Sequence, residues 1–216
     1  MKPQSDPTPL DWAGVRWEAL DPRHGRRRME AVRGYVPPHG RHLDVGTGNG
    51  DGTILLADTN RCIGLEYGPT SAAIARRQGC VVTRGDARRL PFAAASFDSI
   101  TCLDVLEHLP RPEEALAEMA RVLRPGALLI LLTPNRELFK ERILVALRAL
   151  GFRQKQPYDR PLPLAGLRRL IGGAGLRVEA EAAVRCWDDM PLVRAVSWSR
   201  LFLCRPATRA SRGDGR

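Results

Sequence analysis

No apolar run in this chain is long enough to cross a bilayer. The longest, Ala127 to Leu132, falls far short of the roughly 20 residues a membrane helix needs. The amino-terminal Met1-Lys2-Pro3-Gln4-Ser5-Asp6 has no apolar core behind its charge, so no signal peptide is read and a cytoplasmic protein is expected. Cysteine is sparse and scattered. Cys62, Cys80, Cys102, Cys186 and Cys204 include no pair at metal-ligand or redox spacing, so no metal site is expected and reduced, buried thiols are. Lysine is almost missing, with only Lys2, Lys140 and Lys155. Internal repeats are absent. The composition, 44% hydrophobic and 27% charged over 216 residues, fits one globular domain with modest extensions.

The formal charge of +10 is unevenly placed. Residues 1–135 carry 17 basic and 16 acidic side chains, residues 136–216 carry 17 and 8. The surplus therefore lies in the last third, either as a solvated arginine-rich face or as a surface for an acidic substrate or partner.

Short apolar runs alternate with amphipathic stretches, which predicts βαβ units and a largely parallel sheet. Strands are expected at Arg41–Gly46, Cys62–Glu66, Cys80–Thr83, Phe97–Leu103 and Ala127–Thr133, with two more at Leu176–Ala182 and Arg200–Arg205. Helices are expected from about Gly50 to Asp58, Ser71 to Gln78, Arg111 to Leu123 and Leu164 to Ala174. Pro125-Gly126 reads as a stop after the third of these. A further helix would place Phe139, Ile143, Ala146, Leu147 and Leu150 on one face, followed by a loop containing Tyr158, Asp159 and Arg160. The ends look peripheral. The expected division is a helical extension over 1–38 with a basic run Arg26-Arg27-Arg28, a cofactor-binding core over 39–135, acceptor-side elements of the same domain over 136–205, and an unstructured polar tail over 206–216.

Chemistry first shows at Asp44-Val45-Gly46-Thr47-Gly48-Asn49-Gly50, a strand-to-helix turn rich in glycine. Glycines allow a sharp turn and let a ligand lie against the main chain, and a helix behind would offer unpaired N–H groups. Dinucleotides and phosphates use the same device. The dinucleotide fingerprint fails, however, because its last glycine is replaced by Asp51 or Thr53 in the two available frames, and no Gly-Lys-Ser/Thr follows to make a P-loop. Glu66 closes the second strand about twenty residues on, where an acid accepts hydrogen bonds from ribose hydroxyls. Gly85-Asp86-Ala87 follows the third strand as a reader of an adenine edge, and Leu103-Asp104-Val105-Leu106-Glu107-His108-Leu109 ends the fourth. Asp44, Glu66, Asp86 and Asp104 all fall near carboxyl ends of strands, where open α/β sheets bind ligands.

This ordered series resembles the class I S-adenosylmethionine-dependent methyltransferases, especially the group of ubiquinone- and menaquinone-pathway and natural-product enzymes. The resemblance runs from Leu43-Asp44-Val45-Gly46-Thr47-Gly48-Asn49-Gly50 through Gly64-Leu65-Glu66, Gly85-Asp86-Ala87, Leu90-Pro91-Phe92 and Ser96-Phe97-Asp98. It continues through Leu106-Glu107-His108-Leu109 and Arg121-Val122-Leu123-Arg124-Pro125-Gly126 to Thr133-Pro134-Asn135, covering residues 41–135. It implies a three-layer α/β/α Rossmann-like fold with a mostly parallel seven-stranded sheet whose last strand is antiparallel. It also implies S-adenosyl-L-methionine as cofactor. Asp44, Gly46, Thr47, Gly48 and Gly50 would meet its methionine part and Glu66 its ribose. Asp86 and Ala87 would hold the adenine, Tyr67 would flank it, and Leu103 and Asp104 would border the sulfonium. Asp44 stands where the family often has Glu, one methylene longer.

A sulfonium methyl is already electrophilic, so transfer needs mainly alignment and a dry site. A general base is required only for a weakly acidic acceptor. His108 is the candidate base, with packing at a helix start as the plainer alternative, and Asp104 is the candidate for orienting substrate. The expected reaction is methyl transfer to a small-molecule acceptor, with an anionic metabolite suggested by the basic last third. Two alternatives are an RNA methyltransferase holding phosphates with that third and with Arg26-Arg27-Arg28, and a non-catalytic cofactor-binding protein on the same fold. No RNA-binding module and no Asn-Pro-Pro-Tyr motif is present, so nucleic acid is not favoured. Placement of the Arg136–Leu150 helix on a membrane surface is likewise less favoured than packing on the domain.

Overall fold

The computed structural model describes residues 24–134, 162–184 and 199–207. The helix expected around Phe139–Leu150, the loop at Tyr158–Arg160, Trp12, Trp17, Cys186 and most of the carboxyl-terminal tail lie outside the described residues.

Strands β1 (Arg41–Val45), β2 (Arg61–Glu66), β3 (Val82–Arg84), β4 (Phe97–Leu103), β5 (Leu123–Pro134), β6 (Leu176–Val184) and β7 (Ser199–Pro206) form one sheet. Its seven strands run in the order β3-β2-β1-β4-β5-β7-β6. The pairs from β3 to β5 are parallel, and β7 is antiparallel to both β5 and β6. This is the expected sheet, its last strand reversed. The strand order turns back on itself between β1 and β4, the point at which doubly wound sheets bind ligands.

Helices cover both faces. β5 is apolar from Ala127 to Leu132 because that stretch lies between them. Leu129 and Leu131 face the cluster built on α3 (Pro112–Val122) and α4 (Leu164–Gly173), with Leu116, Met119, Leu167 and Ile171 fully buried. Leu128, Ile130 and Leu132 point the other way, onto Met29 and Val32 of α1 (His24–Val32) and onto Leu56. α1 was expected to be peripheral, yet Met29 and Val32 are buried to 1% and 0%. It forms part of the second layer. α2 (Pro69–Arg77) starts on a proline at its first position, whose missing N–H costs nothing there. Proline also opens α3, with Glu113 and Glu114 in its first turn and Arg121 in its last, matching the helix dipole.

Two expected boundaries are corrected. The helix expected over Gly50–Asp58 is only a 3-10 turn, Thr53–Leu56. Gly50 has a positive φ of 94° and Gly52 adds backbone freedom, so few residues remain to propagate an α-helix. The glycine turn therefore has no long helix dipole behind it. Pro125-Gly126 does not separate helix from strand either. Leu123 already pairs with Phe97, and the register shifts before Ser99 meets Leu128. The Pro-Gly pair lies in that irregularity, with Gly126 at φ 78°.

Among the described residues no helix is long and apolar enough to cross a membrane. Cys62, Cys80, Cys102 and Cys204 are free thiols, and burial raises the pKa of each, Cys62 and Cys204 to about 12.

Candidate functional site

β1 ends in Asp44, whose side chain is 5% exposed. One carboxylate oxygen accepts from Thr101 on β4 at 2.7 Å and the other from Thr53 in the 3-10 turn. The Thr53 hydroxyl is in turn hydrogen-bonded to Thr47. Burial raises the Asp44 pKa, while the three threonines and the charge of Arg28 pull it back down. Asp44 thus ties the glycine turn to the neighbouring strand from below.

The turn rests on β2. Gly46 and Thr47 both donate to the Leu65 carbonyl, at 2.9 and 3.1 Å. Gly46, Gly48 and Gly50 all have positive φ, 77°, 56° and 94°, which explains glycine at these three positions. Their surroundings differ. A Cβ on Gly46 would lie 2.4 Å from Val105, and one on Gly50 would lie 2.7 Å from the Cys80 sulfur, whereas one on Gly48 would meet nothing within 4 Å. Gly48 alone of the three opens onto free space. Gly64 serves the turn from β2, because a Cβ there would strike the Thr47 side chain at 2.8 Å.

Glu66 joins the parts. One of its carboxylate oxygens accepts the Gly48 N–H at 2.8 Å and the other the Gly68 N–H at 2.8 Å. The side chain therefore binds the turn after β1 to the start of α2. Burial raises its pKa, against the opposing pull of the Gly68, Gly48 and Tyr67 amides. A carboxylate has about four acceptor sites, so about one remains for a hydroxyl donor.

Tyr67 is half-buried beside it. Asp86 is gripped by Arg88, which donates from its backbone at 2.8 Å and from its guanidinium at 2.8 to 3.1 Å. Burial pushes the Asp86 carboxyl up, but Arg88 outweighs it and the net pKa is lowered. Ala87 has its methyl in the main core with Leu65 and Leu90.

At the end of β4, Leu103 is half-buried and Asp104 adopts a left-handed backbone, φ 54°. Arg28 of α1 reaches Asp104 Oδ2 at 2.9 Å, the two side chains being 15% and 7% exposed. His108 closes the 3-10 turn Leu106–His108 half-buried, while Glu107 beside it is buried.

The fold therefore gathers Asp44, Gly46, Thr47, Gly48, Gly50 and Glu66 through hydrogen bonds among themselves and with β2, and places Asp104 at the neighbouring strand end. Two participants were not legible. Arg28 was read as part of a phosphate-facing run, yet it turns inward to Asp104 while Arg26 pairs with Glu30 at 3.0 Å. His42, within β1, is one polar residue in a strand and carries no signal of its own in the sequence. It is buried, with ring nitrogens 2.8 and 2.9 Å from Ser99 and Thr101. Among the described residues no cluster of three or more His, Cys, Asp or Glu side chains could hold a metal.

A doubly wound sheet, a glycine turn at its switch point and an acid closing the next strand define a binder of a nucleoside-containing cofactor. Comparison with known proteins specifies which. Residues 43–131 match the family described as Methyltransferase domain. A demethylmenaquinone methyltransferase of Mycobacterium sp. (strain KMS) is 32% identical over 191 residues, covering 83% of this chain and 76% of that protein. A probable S-adenosylmethionine-dependent methyltransferase of Mycolicibacterium smegmatis is 34% identical over 140 residues, 63% of this chain but only 52% of its own length. The match thus spans about half of that relative. In fold, the chain superposes with TM-score 0.72 on a chain from the complex between the Haloferax volcanii Trm112 methyltransferase activator and a methyltransferase, at 21% identity and covering 91% and 96% of the two chains. The chain belongs to the class I S-adenosylmethionine-dependent methyltransferase family.

Proposed function

We propose that this protein binds S-adenosylmethionine across the carboxyl ends of β1, β2 and β4 and transfers its methyl group to a small-molecule acceptor. The observation that carries the reading is Glu66, oriented by the Gly48 and Gly68 amides beside the open face of Gly48. Its remaining acceptor site suits a ribose hydroxyl, and the room over Gly48 suits a ligand chain against bare backbone. Asp86 and the Ala87 backbone would hold the adenine, with Tyr67 flanking it. Asp44 and Thr47 would keep the turn in shape for the methionine part, and Leu103 and Asp104 would border the reacting carbon.

When bound, the cofactor supplies an electrophilic methyl. The protein's own work is then to hold the acceptor in line and exclude water. Asp104, held by Arg28, would orient the acceptor, and His108 would take a proton from a weakly acidic one. The name of the mycobacterial relative makes demethylmenaquinone-like quinones the first acceptors to assay, followed by anionic metabolites suited to the basic residues 136–216. The RNA reading loses support because Arg26 and Arg28 are engaged within the chain.

Calorimetry with S-adenosylmethionine and its demethylated product, on wild type and Glu66→Ala, tests the reading. Binding by the wild type that is lost in the variant is expected. No binding by the wild type would overturn it.

A further inference from the structure

Below the glycine turn runs a continuous chain of buried polar side chains, and its direction can be assigned. β1 pairs with β4 so that His42 sits in register with Ser99. His42, Ser99 and Thr101 are all 0% exposed. Asp44 accepts from Thr101, so the Thr101 hydroxyl has given its only proton and its oxygen must accept from His42 Nε2–H. His42 Nδ1 then carries the lone pair and accepts from the Ser99 hydroxyl at 2.8 Å. On the other side Thr53 donates to Asp44 and accepts from Thr47. Burial lowers the His42 pKa to about 3, so the ring stays neutral and the pattern does not reverse in ordinary buffers.

We propose that His42 is a positioning residue for cofactor binding, acting through Thr101 on Asp44 and from there through Thr53 and Thr47 on the glycine turn. Three observations support this. The chain is unbroken from Ser99 to Thr47: His42, Thr101 and Thr53 each have both a donor and an acceptor partner, and Asp44 accepts from both sides. Its far end is sterically sensitive, because the Thr47 side chain fills the space that Gly64 leaves empty. An apolar residue at position 42 would forgo both ring hydrogen bonds. What it would remove is the donor that fixes the Thr101 hydroxyl, since an unconstrained hydroxyl rotates to suit whatever acceptor it finds. His42 touches neither the proposed cofactor space nor the turn directly.

This inference rests on the proposed cofactor reading, and a mutant cycle separates the two. Dissociation constants for S-adenosylmethionine and melting temperatures would be measured for wild type, His42→Val, Thr101→Val and the double variant. His42→Val is expected to weaken binding about 5- to 20-fold (roughly 1–2 kcal/mol at 1.4 kcal/mol per decade), with partial rescue in His42→Gln, which keeps a donor. In the Thr101→Val background the same change should alter the constant less than twofold, because the link is already cut. Nitrogen-15 NMR should find the Nε2–H tautomer from pH 5 to 9. If His42→Val lowers only the melting temperature, or weakens binding equally with and without Thr101, the relay is refuted. An Nδ1–H tautomer would refute its direction. If His42→Val does not fold, His42→Gln and Ser99→Ala carry the test, and unchanged binding in both would refute it. Failure of the wild type to bind would instead remove the cofactor reading, and the relay with it.

Discussion

Adding one methyl at Gly48 isolates the ligand space from the backbone that borders it. Gly48 has φ 56° and would place a new Cβ within 4 Å of nothing. Gly126, at φ 78° in the irregularity of β5, is equally unobstructed and lies at the amino end of its strand, away from the switch point. For both, an L-residue in left-handed backbone costs about 1–2 kcal/mol, and in a domain of this size each kcal/mol lowers the melting temperature by roughly 2–4 °C. Gly48→Ala and Gly126→Ala should therefore melt about 2–8 °C early, and by similar amounts. Their affinities should part. The Gly48 methyl enters the room proposed for the cofactor, and overpacking a fitted contact costs about 1–3 kcal/mol, a loss of roughly 5- to 100-fold. It also tilts the N–H that orients Glu66. Gly126→Ala should bind as the wild type does. The assay pairs scanning calorimetry with titration calorimetry at 25 °C. A Gly48→Ala protein whose dissociation constant stays within twofold of wild type would show that the space over Gly48 is not the cofactor's.

Two further predictions follow from charged groups. Arg28→Met leaves Asp104 buried without its guanidinium partner, and breaking such a pair costs about 3 kcal/mol, the lower end of the usual range because Arg28 keeps 15% exposure. Urea unfolding should register that loss, and adding Asp104→Asn should recover part of it; a single variant as stable as wild type would refute the role of the pair. The second concerns pH. Burial holds the Glu66 carboxyl above the ordinary 4.5, and its hydroxyl-accepting site needs the ionised form. Affinity for S-adenosylmethionine should thus fall on acidification at a pH above that of a free glutamate, and the fall attributed to Glu66 should vanish in Glu66→Gln. The stability of the protein alone has the opposite sign. A raised folded pKa contributes stability that is complete below the unfolded value and is lost as pH rises through the folded one, so wild type should gain on Glu66→Gln as pH drops. A difference between the two that is flat with pH would refute the burial argument.

The parts that sequence made legible are those that local chemistry dictates. Phe97–Leu103 was bounded correctly because a buried strand after the turn opened by Pro91 has few other conformations. The glycines, Glu66 and Asp104 stand out in sequence because each lies next to a strand end. What failed depended on competition or on distant partners. The Gly50–Asp58 stretch had enough apolar residues for a helix, but its glycines left only a 3-10 turn. Arg26-Arg27-Arg28 gave charge without facing, and the burial of Met29 and Val32 turned Arg28 inward. His42 meets its two partners 57 and 59 residues away, and only the β1–β4 register brings them together. No periodicity within β1 records that.

The distribution of these constraints bears on how a member of this family chooses its acceptor. Asp44 and Glu66 are oriented by hydroxyls and amides of β1, β2, β4 and the turns between them. Such preorganisation favours tight cofactor binding because little must be ordered when the ligand arrives, and it leaves little freedom to vary. Residues 43–131, which match the family, contain nearly all of it. Arg28 is an exception, reaching the site from α1 outside the matched region. Variation in the acceptor must then enter through segments that approach the cofactor without forming its cradle. On the proposed cofactor placement α1 would do this through Arg28 and Asp104, and residues 136–216, with 17 basic and 8 acidic side chains, would be the other source. An acceptor chosen by charge would be recognised there, while the chemistry of transfer stays with the strand ends.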